Sequence, residues 1–224
     1  MKLADPRGIV LPEWKLIYYF IPKNASSTIK GYFAKQYGWN EGTGQTPHHF
    51  FHGRGLITAK QRRQYDGFRT FAVVRHRVDR LYSCYKSKIF PDGRGGKRLR
   101  DGVNAYVFGR VPGVKKNLTF SEFVEVITKV PHQIADRHFA EQTMQIADKE
   151  QIFPDVIVRF ERLQADLMEK LGIDISGEPK RNQSEAHNPE RVKDWRKVTD
   201  ETTFRRCVEY YQRDFENFGY ETDF

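Results

Sequence analysis

Two short segments place cationic and hydroxyl side chains where they could hold phosphate-like anions. The first reads Pro22-Lys23-Asn24-Ala25-Ser26-Ser27-Thr28. Its small residues suit a tight turn, Lys23 brings a full positive charge, and three hydroxyls stand where a helix begins. The N–H groups of a first helical turn have no carbonyl of their own helix to bond, so they favour anions. The second segment is Val74-Arg75-His76-Arg77, followed by Asp79-Arg80-Leu81-Tyr82-Ser83. A guanidinium leaving a strand end can fork onto a phosphate, and Ser83 lies two helical turns further on. Between the two segments stand His48, His49 and His52, whose imidazoles can move protons near neutral pH. Each segment alone also admits a plain reading. The first could be an N-capped helix behind a surface lysine, and the second a helix solvated by Arg77, Asp79 and Arg80.

The elements around these residues follow from apolar patterning. Lys15–Ile21 (KLIYYFI), Phe68–Val74 (FRTFAVV) and Asp155–Phe160 (DVIVRF) are short apolar runs rich in strand formers. Helices are expected from Ser26 to about Tyr37, with Gly38 past the end, and from Arg77 to about Lys88. Thr119 and Glu122 bracket a further helix start as a capping box. A helix over Glu161–Leu171 ends at Gly172, and a closing helix runs from about Thr199 to Phe215. Thr43–Gly55 reads as a loop. From Pro91 to Asn117 the chain is a long connector rich in Gly, Lys and Arg. Buried strands alternating with helices predict an α/β fold, three-layer α/β/α with a mostly parallel central sheet. Ligands of such sheets sit beyond the carboxyl ends of the strands, where both anion-binding segments lie.

A length of 224 residues fits a single domain over 1–224. The formal charge of +9 calls for an anionic partner without choosing it. Seventeen Phe and eleven Tyr argue against disorder despite the charged surface. Cys84 and Cys207 are expected as buried thiols outside any disulfide. The first twelve residues lack a signal-peptide pattern, and no apolar run approaches the roughly 20 residues that span a bilayer. A soluble, cytoplasmic protein is the expectation, with the oligomeric state left open. The Walker pattern is absent, since no glycine precedes the helix and the lysine comes early, which weakens an ATPase or kinase reading. A basic nucleic-acid-binding protein is the other rival, but no zinc-finger, RRM or basic-helix pattern occurs.

Taken together, the two segments are far more specific. IPKNASSTIK resembles the 5′-phosphosulfate loop of sulfotransferases that use 3′-phosphoadenosine 5′-phosphosulfate (PAPS). VRHRVDRLYSCY resembles their 3′-phosphate motif, and the separation of about fifty residues fits. The resemblance is to the carbohydrate sulfotransferases of the chondroitin, HNK-1 and heparan 2-O type and their bacterial relatives. Two weaker segments agree: DRHFAEQTMQ (Asp136 to Gln145), and YYQRDFENFGY (Tyr210 to Tyr220) near the end of the chain. The Golgi members carry a membrane anchor and lumenal disulfides that this sequence does not show. That resembles a cytoplasmic relative, bacterial or viral.

The resemblance implies a P-loop-like nucleotide-binding core and PAPS as donor co-substrate, without a metal. Lys23 would contact the phosphosulfate bridge, and Asn24, Ala25, Ser26, Ser27 and Thr28 would hold the 5′-phosphate. Arg75 and Ser83 would hold the 3′-phosphate, and Ser184, in a polar loop with Arg181 and Asn182, would close over the nucleotide. Heparan enzymes carry catalytic histidines in a His-Gly-His segment, which here reads His52-Gly53-Arg54. His52 is therefore the first candidate base, His48 or His49 the second, with an acidic residue or His138 behind them. A metal reading of the three histidines would need Glu41 as a fourth ligand. The implied acceptor bears a hydroxyl, as a glycan or other small molecule does, and a sulfotransferase-like binder without turnover stays open.

Overall fold

Short apolar runs need cover on both faces, and this requirement shapes the chain. The computed structural model describes residues 6–52, 54–88, 118–148, 151–152, 154–179 and 194–224. The chain divides into two compact units. Ala4–Arg75 and Met144–Asn182 compose a sheet unit; Met1–Leu3, His76–Thr143 and Gln183–Phe224 compose a helical unit.

Five strands of the sheet unit form one sheet: β1 (Arg7–Leu11), β2 (Leu16–Tyr19), β3 (Leu56–Thr58), β4 (Arg69–Val74) and β7 (Val156–Arg159). A separate hairpin pairs β5 (Ala147–Asp148) with β6 (Gln151–Ile152). The sheet order is β3-β1-β2-β4-β7. The three expected strands appear as β2, β4 and β7, and their pairings are parallel. β1 and β3 lie outside the sequence expectation and pair antiparallel, β1 with both β2 and β3. The sheet is thus parallel through β2, β4 and β7 and antiparallel beyond β2. Only Pro12–Lys15 links β1 to β2, too short for a crossover, so the two must run antiparallel. Gly8 allows their close approach, since a Cβ there would meet Ile17 Cγ2 at 2.7 Å.

Strand alternation sorts the core. Leu16, Tyr18, Phe71, Val73, Val156 and Val158 turn to one face. There they pack with Ile29 and Phe33 of α1 (Ser26–Gln36) and Leu167 of α6 (Leu163–Leu171). Tyr18 stacks on Phe71 with ring centroids 4.7 Å apart. Their neighbours Ile17, Tyr19, Ala72 and Val74 are buried as well, which explains runs without polar alternation. The expected loop over 43–55 contains the helical turn α2 (Pro47–Phe50), with Thr46 as cap and Pro47 in the first position. Gly38 and Gly172 end α1 and α6 with positive φ, although α6 opens as a 3-10 turn over Phe160–Arg162.

The helical unit holds α3 (Arg77–Lys88), α4 (Phe120–Ile127), α7 (Glu201–Tyr210) and α8 (Gln212–Phe218), while the short α5 is Thr143–Ile146. The capping box of Thr119 and Glu122 is formed at α4. Val78, Leu81, Tyr82 and Tyr85 of α3 are buried as their spacing predicts. The expected closing helix is broken at Tyr211, whose hydroxyl donates to the Phe139 carbonyl. Arg77 and Arg80, readable as surface charges, are fully buried. Arg77 donates to the Phe139 carbonyl and covers the Tyr211 ring; Arg80 donates to the carbonyls of Ala140 and Arg137. Asp214 completes this hub by accepting from the N–H groups of Gln142 and Thr143 and the Thr143 hydroxyl. Cys84 and Cys207 are buried and outside any disulfide. Among the described residues no helix is long and apolar enough to cross a membrane. The connector over 91–117, together with Arg181, Asn182 and Ser184, lies outside the described residues.

Beside the hub sits Glu141, also buried, with His132 Nε2 at 3.6 Å and Arg213 Nη1 at 3.9 Å. Its carboxyl is pushed up to about 7, by burial and then by the Asp214 charge, against the opposing effect of Arg213 and Arg77. The folded protein therefore keeps a proton that the unfolded chain releases above the ordinary value of 4.5. Stability contributed at Glu141 falls as pH rises from 4.5 to about 7. In urea titrations across that window, Glu141→Gln is expected to gain on wild type by on the order of 3 kcal/mol. Parallel stability profiles for the two proteins would contradict the assignment.

Candidate active site

The turn between β2 and α1 has an unusual backbone. Lys23 and Ala25 have φ of 72° and 55°, while Asn24 between them stays in the ordinary negative range. Alternating handedness of this kind is the backbone pattern of anion-binding nests, and here the Asn24 N–H donates to the Ile21 carbonyl at 3.4 Å. Non-glycine residues in this region are disfavoured by roughly 1–2 kcal/mol each, so the conformation needs outside support. Part of that support is the fully buried Asn24 side chain, whose Nδ2 donates to the Val73 carbonyl of β4 at 2.7 Å. Ala25 is the N-cap of α1, and no side chain caps the helix. The helix starts at Ser26 as expected, and the plain alternative of a Ser/Thr cap does not hold: Ser26, Ser27 and Thr28 are the first three helical residues, with N–H groups directed out of the helix end.

The second segment reaches this turn through Arg75. Its Nη1 donates to the Lys23 carbonyl at 3.0 Å, and its guanidinium lies 3.9 Å above the Phe160 ring. The parallel register explains Phe160, because Val74 pairs with Arg159 and the next residues of β4 and β7 leave the sheet side by side. Arg75 thus stands at the nest with its planar fork oriented by a ring face. Ser83 is half-buried on α3 in the helical unit, whereas Arg75 closes a segment of the sheet unit.

Of the three clustered histidines, His48 is the one placed against α1. Its Nε2 lies 2.8 Å from Ser27 Oγ and its Nδ1 3.3 Å from Lys30 Nζ. His49 and His52 are exposed, with ring centroids 5.9 Å apart. His138 pairs with Asp136 Oδ1 at 2.7 Å in the helical unit. Among the described residues, no three His, Cys, Asp or Glu side chains gather as a metal site. Lys30, Phe160 and the side-chain role of Asn24 were not singled out from sequence. Lys30 carried a signal, since it lies three residues beyond Ser27 on the same helical face. Phe160 carried none without the strand register.

The fold is mixed α/β with this turn between β2 and α1, and comparison with known families says what kind of protein carries it. The chain matches the model of the sulfotransferase family over residues 6–221 and belongs to that family. No curated protein and no solved structure matches it. The family assignment supports an enzyme that transfers a sulfuryl group.

The nest depends on the Asn24 amide, which suggests a stability test by urea unfolding. Asn24→Ala is expected to cost about 1–3 kcal/mol, because the buried Val73 carbonyl loses its donor. Asn24→Asp should cost more, since a carboxylate has no proton to give and sets a charge against that carbonyl. Equal stability of the Asp and Ala variants would contradict this account of the turn.

Proposed function

We propose that the protein transfers the sulfuryl group of PAPS to a hydroxyl of a carbohydrate acceptor. The observation that carries the reading is the Lys23–Ala25 nest, bonded by Arg75, in a chain of the sulfotransferase family. A second reading as a nucleic-acid binder has the positive charge in its favour but offers no use for this turn.

In this reading the 5′-phosphate sits on residues 24–28, through the hydroxyls of Ser26, Ser27 and Thr28 and the N–H groups at the start of α1. Arg75 and Ser83 hold the 3′-phosphate, which separates PAPS from nucleotides of the ATP type. Lys23 places its ammonium at the bridging oxygen between phosphorus and sulfur. As that S–O bond breaks, negative charge grows on the phosphate, and Lys23 offsets it. The acceptor oxygen forms the new bond to sulfur in line with the leaving oxygen, and His52 takes the proton of the acceptor. The exposure of His52 suits a bulky acceptor that arrives from solvent. Ser184 closes over the nucleotide, and no metal takes part.

Both units serve one activity in this proposal, as a single sulfotransferase domain over 1–224 with a three-layer, P-loop-like core. The family match running through both supports that. Two buried, unbridged thiols fit a reducing compartment such as the cytoplasm. The basic character favours an anionic glycan as acceptor.

The test is PAPS turnover, followed by release of 3′-phosphoadenosine 5′-phosphate in the presence of uronic-acid oligosaccharides. Lys23→Ala is expected to lower kcat by about 100- to 1,000-fold, as for loss of one transition-state charge contact. His52→Ala should lose roughly 100-fold or more, concentrated in kcat rather than KM. Wild-type kcat in the Lys23 variant would overturn the role given to the loop.

A further inference from the structure

Ser27 is the middle hydroxyl of the anion-binding turn, and a chain of side chains stands behind it. We propose that Lys30 is a positioning residue which, through His48, fixes the Ser27 hydroxyl as a hydrogen-bond donor to the bound 5′-phosphate. The proposal rests on the nucleotide reading given above for the function of that turn.

An ammonium can only donate, so the 3.3 Å contact from Lys30 Nζ makes His48 Nδ1 an acceptor. A neutral imidazole that accepts at Nδ1 carries its proton on Nε2. Nε2, 2.8 Å from Ser27 Oγ, is therefore the donor in that contact. A hydroxyl that accepts from an imidazole still has its own proton to give, and in a loaded turn the phosphate oxygen is the acceptor. Every link then donates in one direction, from Lys30 through His48 and Ser27 toward the anion. Aligned hydrogen bonds of this kind polarise one another, so part of the lysine charge is felt at the turn.

The surroundings hold this direction. Lys30 is only 4% exposed, and its ammonium lies 3.2 Å from the centroid of the Phe20 ring, whose face attracts a cation. Lys30 and Ser27 share one face of α1. His48 arrives from α2, where Thr46 accepts from the His49 N–H and Pro47 sets the first turn. One consequence concerns the base. An imidazole whose Nε2 already donates to Ser27 does not take a proton from an acceptor at that nitrogen, which sets His48 aside and leaves His52 first among the other candidates.

The test reads the His48 tautomer by long-range proton–nitrogen correlation NMR on full-length protein with ¹⁵N-labelled histidine, assigned with His48→Gln. Wild type without nucleotide is expected to show a bare Nδ1 and a protonated Nε2. Lys30→Met should mix the tautomers and weaken binding of 3′-phosphoadenosine 5′-phosphate by roughly three- to tenfold. Lys30→Arg, which keeps a donor for Nδ1, should stay closer to wild type in both readouts. A proton on Nδ1 of wild-type His48, or an unchanged tautomer and affinity in Lys30→Met, would overturn the proposal. If Lys30→Met does not fold, the wild-type tautomer and Lys30→Arg decide it. Should the nucleotide fail to bind wild type, the functional reading falls, while the tautomer still reports on the Lys30–His48 link.

Discussion

Residues 22–25 hold a backbone conformation that two of them, Lys23 and Ala25, would not choose for themselves. Glycine would adopt it readily, as in many phosphate-binding loops, but here side chains from elsewhere impose it. The Asn24 amide is tied to the β4 carbonyl of Val73, and Arg75 at the end of that strand holds the Lys23 carbonyl. The turn is therefore fastened to β4 at both motifs. That arrangement lets Lys23 carry a charge at a position where a glycine loop would have none. The positive φ at Lys23 and Ala25 is local strain that these two contacts hold in place.

The same logic of buried anchoring recurs in the helical unit with other residues. Asp214 binds two N–H groups and the Thr143 hydroxyl, and Arg77 and Arg80 bond three carbonyls. The two weaker resemblance segments, around Phe139 and around Tyr211, are thereby joined to the start of α3. In a buried hub of this type, loss of one charged partner leaves the other uncompensated away from water.

Much of this was legible in the sequence, for reasons that particular residues make plain. β2, β4 and β7 are short, largely buried and rich in aromatic and branched residues, so their patterning identifies them. α3 was bounded correctly because its apolar face keeps helical spacing throughout. β1 and β3 were not, because Arg7–Leu11 and Leu56–Thr58 become strands only by pairing at the sheet edge. Arg77 and Arg80 look like surface charges until their carbonyl partners, some sixty residues away in the chain, are known. The two segments proposed to bind anions stand out in the sequence by residue type and order. What could not be read was which histidine meets α1, since that depends on where α2 packs, and tertiary placement leaves no local trace.

The proposed donor site sets Arg75 beside the Lys23–Thr28 turn to hold a nucleotide with phosphates at both its 5′ and 3′ positions. Calorimetric titration of wild type and Arg75→Ala with 3′-phosphoadenosine 5′-phosphate and with AMP tests it most directly. The account predicts that wild type binds the bisphosphate at least about tenfold more tightly than AMP, or 1.4 kcal/mol, and that Arg75→Ala removes most of this preference. Equal affinity of wild type for the two nucleotides, or a preference that survives the loss of Arg75, would contradict it.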